Sequence, residues 1–436
     1  MGGSMQPASR QTGGALRPLW PLVALLGCLL SACSNSPPAG TPAAHIARHV
    51  SGPVLRTVRL TQRPFVMVAD APAGRIFVLS TNDPSAPDYN LPVASIQVLD
   101  ATTGALVRTM PVSDYVPFVT TMGTTTLTVD PRGGQVFLAS TQHVNGGGRG
   151  ALHVLDGRTG HVVRTVALPY VPCALALDAS AGHLFVGLSS GSTAAIAMLD
   201  DRTGALLRSV SAKGAPCLPS VDAHEHAVFF GSVDPALQQL TTLNARTGAA
   251  RAPMAVTADG FIDALAVDER AGRVLVDQFD GQGRRGNLSV FDARTGRPIA
   301  EVDGVGGEPL VVDATTGHAF AVKSAISTNN ADNVVVNTVA TRTGRLVRRV
   351  ELIPAAENGS GAALAVDATR GRVYAVPAHD YARLIVLDAR SGRRLRTIAL
   401  GGAIDTPAVA VDERTGRIFV ANAGAGTATV LDAARL

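Results

Sequence analysis

The sequence predicts an all-β repeat protein, and three observations carry that prediction. Short runs alternate apolar and polar residues with the two-residue period of half-buried strands and show no helical period. Two tight-turn motifs punctuate these runs in regular succession. A strand-like segment near the start has no repeat of its own and matches the fourth segments of later repeats.

The first turn is seen in VFDARTGRPIAEV, residues 290–302. Asp292 can accept hydrogen bonds from the backbone N–H groups just ahead of it, and Gly296 supplies the positive φ that closes a four-residue loop. The pattern Asp-x-x-[Thr/Ser]-Gly starts again at Asp100, Asp156, Asp200 and Asp388. Asn244 and Ala340 open variants that keep the Thr-Gly end, and a last copy begins at Asp432.

The second turn, Asp-x-x-x-Gly, starts at Asp70, Asp130, Asp178, Asp268, Asp313, Asp367 and Asp412, with an altered copy at Asp222 that carries His226 in place of glycine. Each follows a run such as LAVD and precedes one such as RIFVAN. Seven steps span the 342 residues from Asp70 to Asp412, a period of about 49, in the range of arrays and propellers. Four strands and two hairpins per unit of that length make a propeller blade.

The last unit has three strands only. VLRTVRL, residues 54–60, resembles the fourth strands VVRTVAL, LVRRVEL and RLRTIAL of other units. Added to the last unit, it would pair an exposed edge and close the circle. The expectation is an eight-bladed β-propeller of four-stranded antiparallel blades over residues 53–436, closed by the N-terminal strand; seven blades with one degenerate unit is the alternative. The repeats resemble the YVTN-type β-propeller family, whose strand motif reads here RIFVAN, RIFVLS, HLFVGL and RVYAVP. The resemblance implies the fold and says little of function, because propellers host many unrelated activities.

Residues 1–32 are of another kind. Arg10 and Arg17 precede an apolar run, LWPLVALLGCLL, too short to span a bilayer and proportioned like a secretory signal. LSAC resembles the bacterial lipoprotein box, which implies Cys33 as the lipidated first residue of the mature chain; ordinary cleavage beside an incidental cysteine is the alternative. By the sorting rule of enteric lipoproteins, Ser34 in place of Asp implies the outer membrane, facing the periplasm. Residues 33–52, rich in Pro, Ala and Ser, read as a flexible tether. The full chain carries a formal charge of +4, which falls to +2 without Arg10 and Arg17. That balance gives no reason to expect a nucleic-acid partner.

Both turn types open on one face of the ring, and they hardly vary in length. The spacing between them does vary, from 20 (Asp412 to Asp432) to 30 (Asp70 to Asp100) within a unit, and from 21 to 30 between units. All length variation therefore falls on the opposite face, where a binding surface is commonly built. Polar candidates there are His143, Arg149, Asp280, Arg284, Asn329, Asp332, His379, Asp380 and Tyr381; each taken singly reads as a solvated loop residue.

Five residues before the Asp of each second-type turn stand Phe65, Thr125, Cys173, Cys217, Asp263, Glu308, Ala362 and Pro407. They are expected to ring the mouth of the central channel. Cys173 and Cys217, in equivalent Pro-Cys contexts of adjacent blades, rank first as a disulfide, provided the strands approach closely enough. Two free thiols rank second, and a metal site completed by Asp263 and Glu308 third. Those two carboxylates also fit an acid/base pair, although carboxylates at a wet channel mouth are commonplace. Other matches lack their structural context: Gly187-x-Ser189-x-Gly191 and Gly281-x-Gly283-x-x-Gly286 join strand to strand, where the nucleophile elbow and the dinucleotide loop need a helix. His161, His183 and His318 read as exposed turn residues. At one position of the first turn, Arg158, Arg202, Arg246, Arg294, Arg342 and Arg390 form a basic ring, which the turn aspartates are expected to offset.

The functional expectation is a membrane-tethered binding or scaffold module acting through the variable-loop face on an envelope protein, peptide or small ligand, with no cofactor or metal. An envelope enzyme or redox subunit with its site at the channel is the runner-up.

Overall fold

A computed structural model of the chain describes residues 52–436, apart from 82–93, 113–125, 133, 145–146, 191–192, 235–236, 238, 257–260, 280–285, 324–332, 355–360, 379–381 and 405–406. The amino-terminal unit, residues 1–49, lies outside the described residues, and Cys33 with it.

The described chain forms eight four-stranded antiparallel sheets. β1 (Val54–Arg59) precedes the first. Blade 1 holds β2 (Arg63–Asp70), β3 (Arg75–Thr81), β4 (Ala94–Asp100) and β5 (Leu106–Val112). Blade 2 holds β6 (Leu127–Asp130), β7 (Gln135–Val144), β8 (Gly147–Asp156) and β9 (Val162–Leu168). Blade 3 is β10 (Val171–Asp178), β11 (His183–Ser190), β12 (Thr193–Asp200) and β13 (Leu206–Ala212); blade 4 is β14 (Pro216–Asp222), β15 (Ala227–Ser232), β16 (Gln239–Asn244) and the short β17 (Met254–Ala255). Blade 5 is β18 (Phe261–Asp268), β19 (Arg273–Phe279), β20 (Gly286–Asp292) and β21 (Pro298–Val302); blade 6 is β22 (Leu310–Asp313), β23 (His318–Lys323), β24 (Val334–Ala340) and β25 (Leu346–Ile353). Blade 7 is β26 (Ala362–Asp367), β27 (Arg372–Pro377), β28 (Arg383–Asp388) and β29 (Arg394–Ala399); blade 8 is β30 (Pro407–Asp412), β31 (Arg417–Asn422) and β32 (Thr427–Asp432), completed by β1.

The first strand of each blade touches that of the next, and β30 returns to β2, so these eight strands form the inner ring. β1 closes the circle as expected. It runs antiparallel to β32 with Arg56 opposite Val430 and Arg59 opposite Thr427, and hydrogen bonds from Leu60 N to Gly426 O (2.8 Å) and from Asp432 N to Pro53 O (2.9 Å) extend the ladder.

The core follows from one position of the second strand. Two residues after its first residue stand Phe77, Phe137, Phe185, Phe229, Leu275, Phe320, Tyr374 and Phe419, all fully buried. Each belongs to a separate hydrophobic cluster that joins its blade to the next. The eighth cluster packs Phe419 with Val58 and Leu60 of the closing strand and with Ile76 and Val78 of blade 1. Large flat side chains thus fill the wedge between twisted sheets, where apolar burial stabilises the contact by about 2–3 kcal/mol per side chain.

Both turns form as the sequence implies. In the outer turn of blade 5, the N–H and hydroxyl of Thr295 donate to Asp292 Oδ1 at 2.9 and 2.7 Å, and Gly296 N donates to Asp292 O. The Thr hydroxyl and N–H hold Asp156, Asp200 and Asp292 below the ordinary carboxylate range. In the inner turn, all eight aspartates are buried and accept a backbone N–H from their own turn, as Asp70 does from Ala73 at 3.1 Å. The altered copy keeps the geometry: His226 takes φ 48°, the left-handed region that glycine occupies elsewhere.

A bond not visible in the motifs ties the two turns together. The residue after each outer-turn Asp, Asn or Ala donates its N–H to the carbonyl of the last inner-turn residue of the same blade, as Ala101 N does to Gly74 O at 3.0 Å. The same bond occurs in all eight blades. That residue is buried, and the preceding blade's aspartate packs on it: a Cβ on Gly157 would meet Asp70 Oδ2 at 2.6 Å. Two histidines differ from expectation. His183 and His318 are half-buried against the next blade, and His183 Nδ1 lies 2.8 Å from Ala245 O.

Candidate functional site at the channel mouth

The inner strands end, opposite the tight turns, in two kinds of structure. At Phe65, Cys173, Cys217 and Asp263 the register slips by one residue against the second strand. Each is therefore a β-bulge, an extra residue that bends the strand and re-aims its side chain. Ala362 and Pro407 open their strands in plain register, and Glu308 precedes β22 by two residues. The ring expected from alignment is thus uneven. Thr125 lies outside the described residues.

The bulges bring Cys173 and Cys217 of adjacent blades to a Cα separation of 5.2 Å, and the two sulfurs are joined as a disulfide. The separation falls in the range a disulfide needs. Both sulfurs are thereby used, which removes the thiolates that the metal alternative required. Among the described residues no group of three or more His, Cys, Asp or Glu is arranged to hold a metal ion.

Beside this bridge stands a cluster of carboxyls. Asp263, half-buried on its bulge, has its pKa pushed up to about 6 by burial. Asp277 on β19 is buried, and its carboxyl is pushed far above the ordinary range, by burial first and then by the charges of Asp263 and Glu308; the Gly307 N–H opposes this in part. Asp277 Oδ1 has no hydrogen-bond partner. A Cβ on Gly306 would fall 1.8 Å from that oxygen, so glycine is required where the loop crosses it. Burial beside other carboxyls favours the protonated form of Asp277. Such a group can donate a hydrogen bond or a proton at neutral pH.

Asp277 was not among the residues the motifs single out, yet the sequence carried a signal. At its position in the second strand the other blades have Leu79, Ala139, Gly187, Gly231, Val322, Val376 and Ala421. One charge in an apolar strand position breaks the local pattern, and such breaks mark strained or functional places.

Of the loop-face candidates, Arg149 is exposed on β8, its backbone opposite Gln142. His143 lies on β7 opposite Gly148, with its side chain outside the description. Asp280, Arg284, Asn329, Asp332, His379, Asp380 and Tyr381 lie outside the described residues.

No family model and no curated protein sequence matches the chain. Solved structures do. The crystal structure of BamB from Moraxella catarrhalis is similar over 87% of this chain and 99% of that one, at 17% identity and a TM-score of 0.56. The computationally designed Ika8 protein matches over 87% and 100%, at 18% identity and a TM-score of 0.55. A europium-containing methanol dehydrogenase matches over 84% of both chains, at 14% identity and a TM-score of 0.52. At these identities the likeness establishes the β-propeller fold alone.

Proposed function

We propose that this protein is a lipid-anchored β-propeller of the bacterial cell envelope, of YVTN type, that binds an envelope protein, peptide or small ligand through its loop face. One observation carries the reading. The tight-turn face repeats the same turn-to-turn bond in all eight blades, while every change of segment length falls on the opposite face. Uniform turns hold the ring, and the other face is free to diverge, which is the division of labour of a binding scaffold. The LSAC sequence that ends at Cys33 supports the envelope address, and incorporation of labelled palmitate, lost in Cys33→Ala, tests it.

Affinity capture from native envelope tests the loop face. Arg149→Glu combined with Arg284→Glu should abolish capture of a partner that the parent protein retains, while Asp263→Asn should leave it unchanged. Capture insensitive to the loop variants overturns the reading. The second reading, an envelope enzyme or redox subunit, is favoured by the raised carboxyls Asp263 and Asp277 at the channel mouth. Loss of capture in Asp263→Asn alone would move the site there.

A further inference from the structure

The described residues expose nine large hydrophobic side chains, and all nine fall at one place in the repeat. They open the outermost strand, just past the glycine of the outer turn. Leu106–Val107, Val162–Val163 and Leu206–Leu207 stand there in the first three blades, and one residue stands there in each of blades 5, 6 and 7. Val163 is 62% exposed and Leu207 50%. Scattered apolar residues need no account, but a ring of them at a single structural position does.

The same segments hold the protein's positive charge. Residues 100–108, 156–164, 200–208, 244–252, 292–300, 340–348 and 388–396 contain sixteen arginines and six aspartates. Their surplus of ten exceeds the formal +4 of the whole chain, so the remainder is net negative. Arg246 and Arg342 of the basic ring stand in turns that Asn244 and Ala340 open, and over the whole rim the aspartates do not offset the arginines. Five arginines after the apolar positions also bond to a turn carbonyl of the next blade, among them Arg208 to Thr247 O (3.2 Å) and Arg348 to Ser391 O (3.0 Å), which fixes the rim in place. Protection of edge strands accounts for the charges and leaves the exposed apolar side chains unexplained.

The chain also enters the ring on this face. Pro53 O accepts from Asp432 N, at the start of the last outer turn, and Arg435 reaches Gly52 O at 3.4 Å.

We propose that the tight-turn face docks on an anionic phospholipid surface, its apolar ring entering the headgroup boundary and its arginines meeting lipid phosphates, with the loop face turned away from the bilayer. Apolar side chains interleaved with arginine are the chemistry of interfacial binding. The inference deepens the anchored reading by giving the tethered ring an orientation, although the docking itself rests on the face alone.

The test uses the chain beginning at Ser34, which lacks the lipid site and keeps every described residue. It is sedimented with vesicles of phosphatidylcholine, with and without phosphatidylglycerol. The expected result is retention on the anionic vesicles only, lowered about tenfold or more by Val163→Asp/Leu207→Asp and likewise by Arg342→Glu/Arg390→Glu. The loop-face variant Arg149→Glu should bind as the parent does, and unchanged melting confirms that each variant is folded. No retention on anionic vesicles, or retention that the apolar pair does not alter, overturns the proposal. Loss with the arginine pair alone points to a soluble polyanion and also overturns it. Palmitate labelling at Cys33 is scored separately, so the anchor and the docking face fail independently.

Discussion

On the tight-turn face, eight blades make one bond in common, from the residue after the outer-turn Asp, Asn or Ala to the carbonyl that closes the inner turn. On the opposite face the strand ends change in kind around the ring: Cys173 and Cys217 are bridged, Asp263 and Glu308 share their surroundings with a buried Asp277, and Ala362 and Pro407 carry no polar group. The difference teaches where the repeat is free. A turn whose aspartate is buried and whose neighbour packs on the next blade tolerates few residues. A strand end at an open channel tolerates a bulge, and a bulge can aim a different side chain in each blade.

The contrast breaks most completely if the ring cannot close. Removing the residues through Leu60 strips β32 of its outer partner and takes Val58 and Leu60 from the cluster that joins the last blade to the first. The expected cost exceeds about 5 kcal/mol. It should appear as loss of the cooperative thermal transition and as aggregates on size-exclusion chromatography. A truncated chain that melts like the intact one would refute closure by β1.

The bridge at the variable end comes next. It closes a loop with a sequence separation of 44 residues, for which chain entropy gives about 4 kcal/mol of stabilisation. Cys173→Ser/Cys217→Ser should melt lower, and reductant should bring the parent protein to the same point. If alkylation of the unfolded, unreduced protein modifies both thiols, the bridge does not exist in solution.

Asp277 sharpens the comparison through pH. Burial raises its carboxyl, so the folded state favours the protonated form. Above the ordinary carboxylate range, about pH 4, the unfolded chain gives up this proton while the folded protein resists. The group therefore lowers stability as pH climbs, and Asp263, raised to about 6, adds to the loss between those values. Asp277→Asn should gain nothing near pH 4 and about 1–3 kcal/mol at pH 8, read from denaturant midpoints at both pH values. An equal gain at both would show that the carboxyl does not titrate as its surroundings imply.

The smallest effect belongs to the tight-turn face. His226 holds a conformation that costs an L residue about 1 kcal/mol, so His226→Gly should stabilise the fold by that amount, read as a higher denaturation midpoint. No change would mean that the His226 side chain offsets the strain with a contact of its own.

Much of the ring was legible because its determinants are local. Asp292 and Gly296 set a turn within five residues, and alternation sets which side chains face inward. The segment at Val54 declared itself by likeness to other fourth strands. The candidate site was half legible: aligned repeats located Cys173, Cys217, Asp263 and Glu308 at one end of the inner strands, yet not which of them bulge. Asp277 is two strands' worth of sequence from Glu308 and meets it only through packing, so turn motifs passed over it. His183 likewise reads as exposed in the sequence because its acceptor, Ala245 O, belongs to the next blade.

The sequence by itself determined the repeat, the number of blades and the strand that closes them, because turn chemistry and strand alternation act over a few residues and simply recur. Only the tertiary structure decided which side chains meet across blades and which stay uncovered: the bridge between two bulges, the crowded carboxyls around Asp277, and the apolar residues left exposed along one rim. Those depend on how neighbouring sheets twist and pack around a common axis, a distance the chain crosses in space and never in sequence.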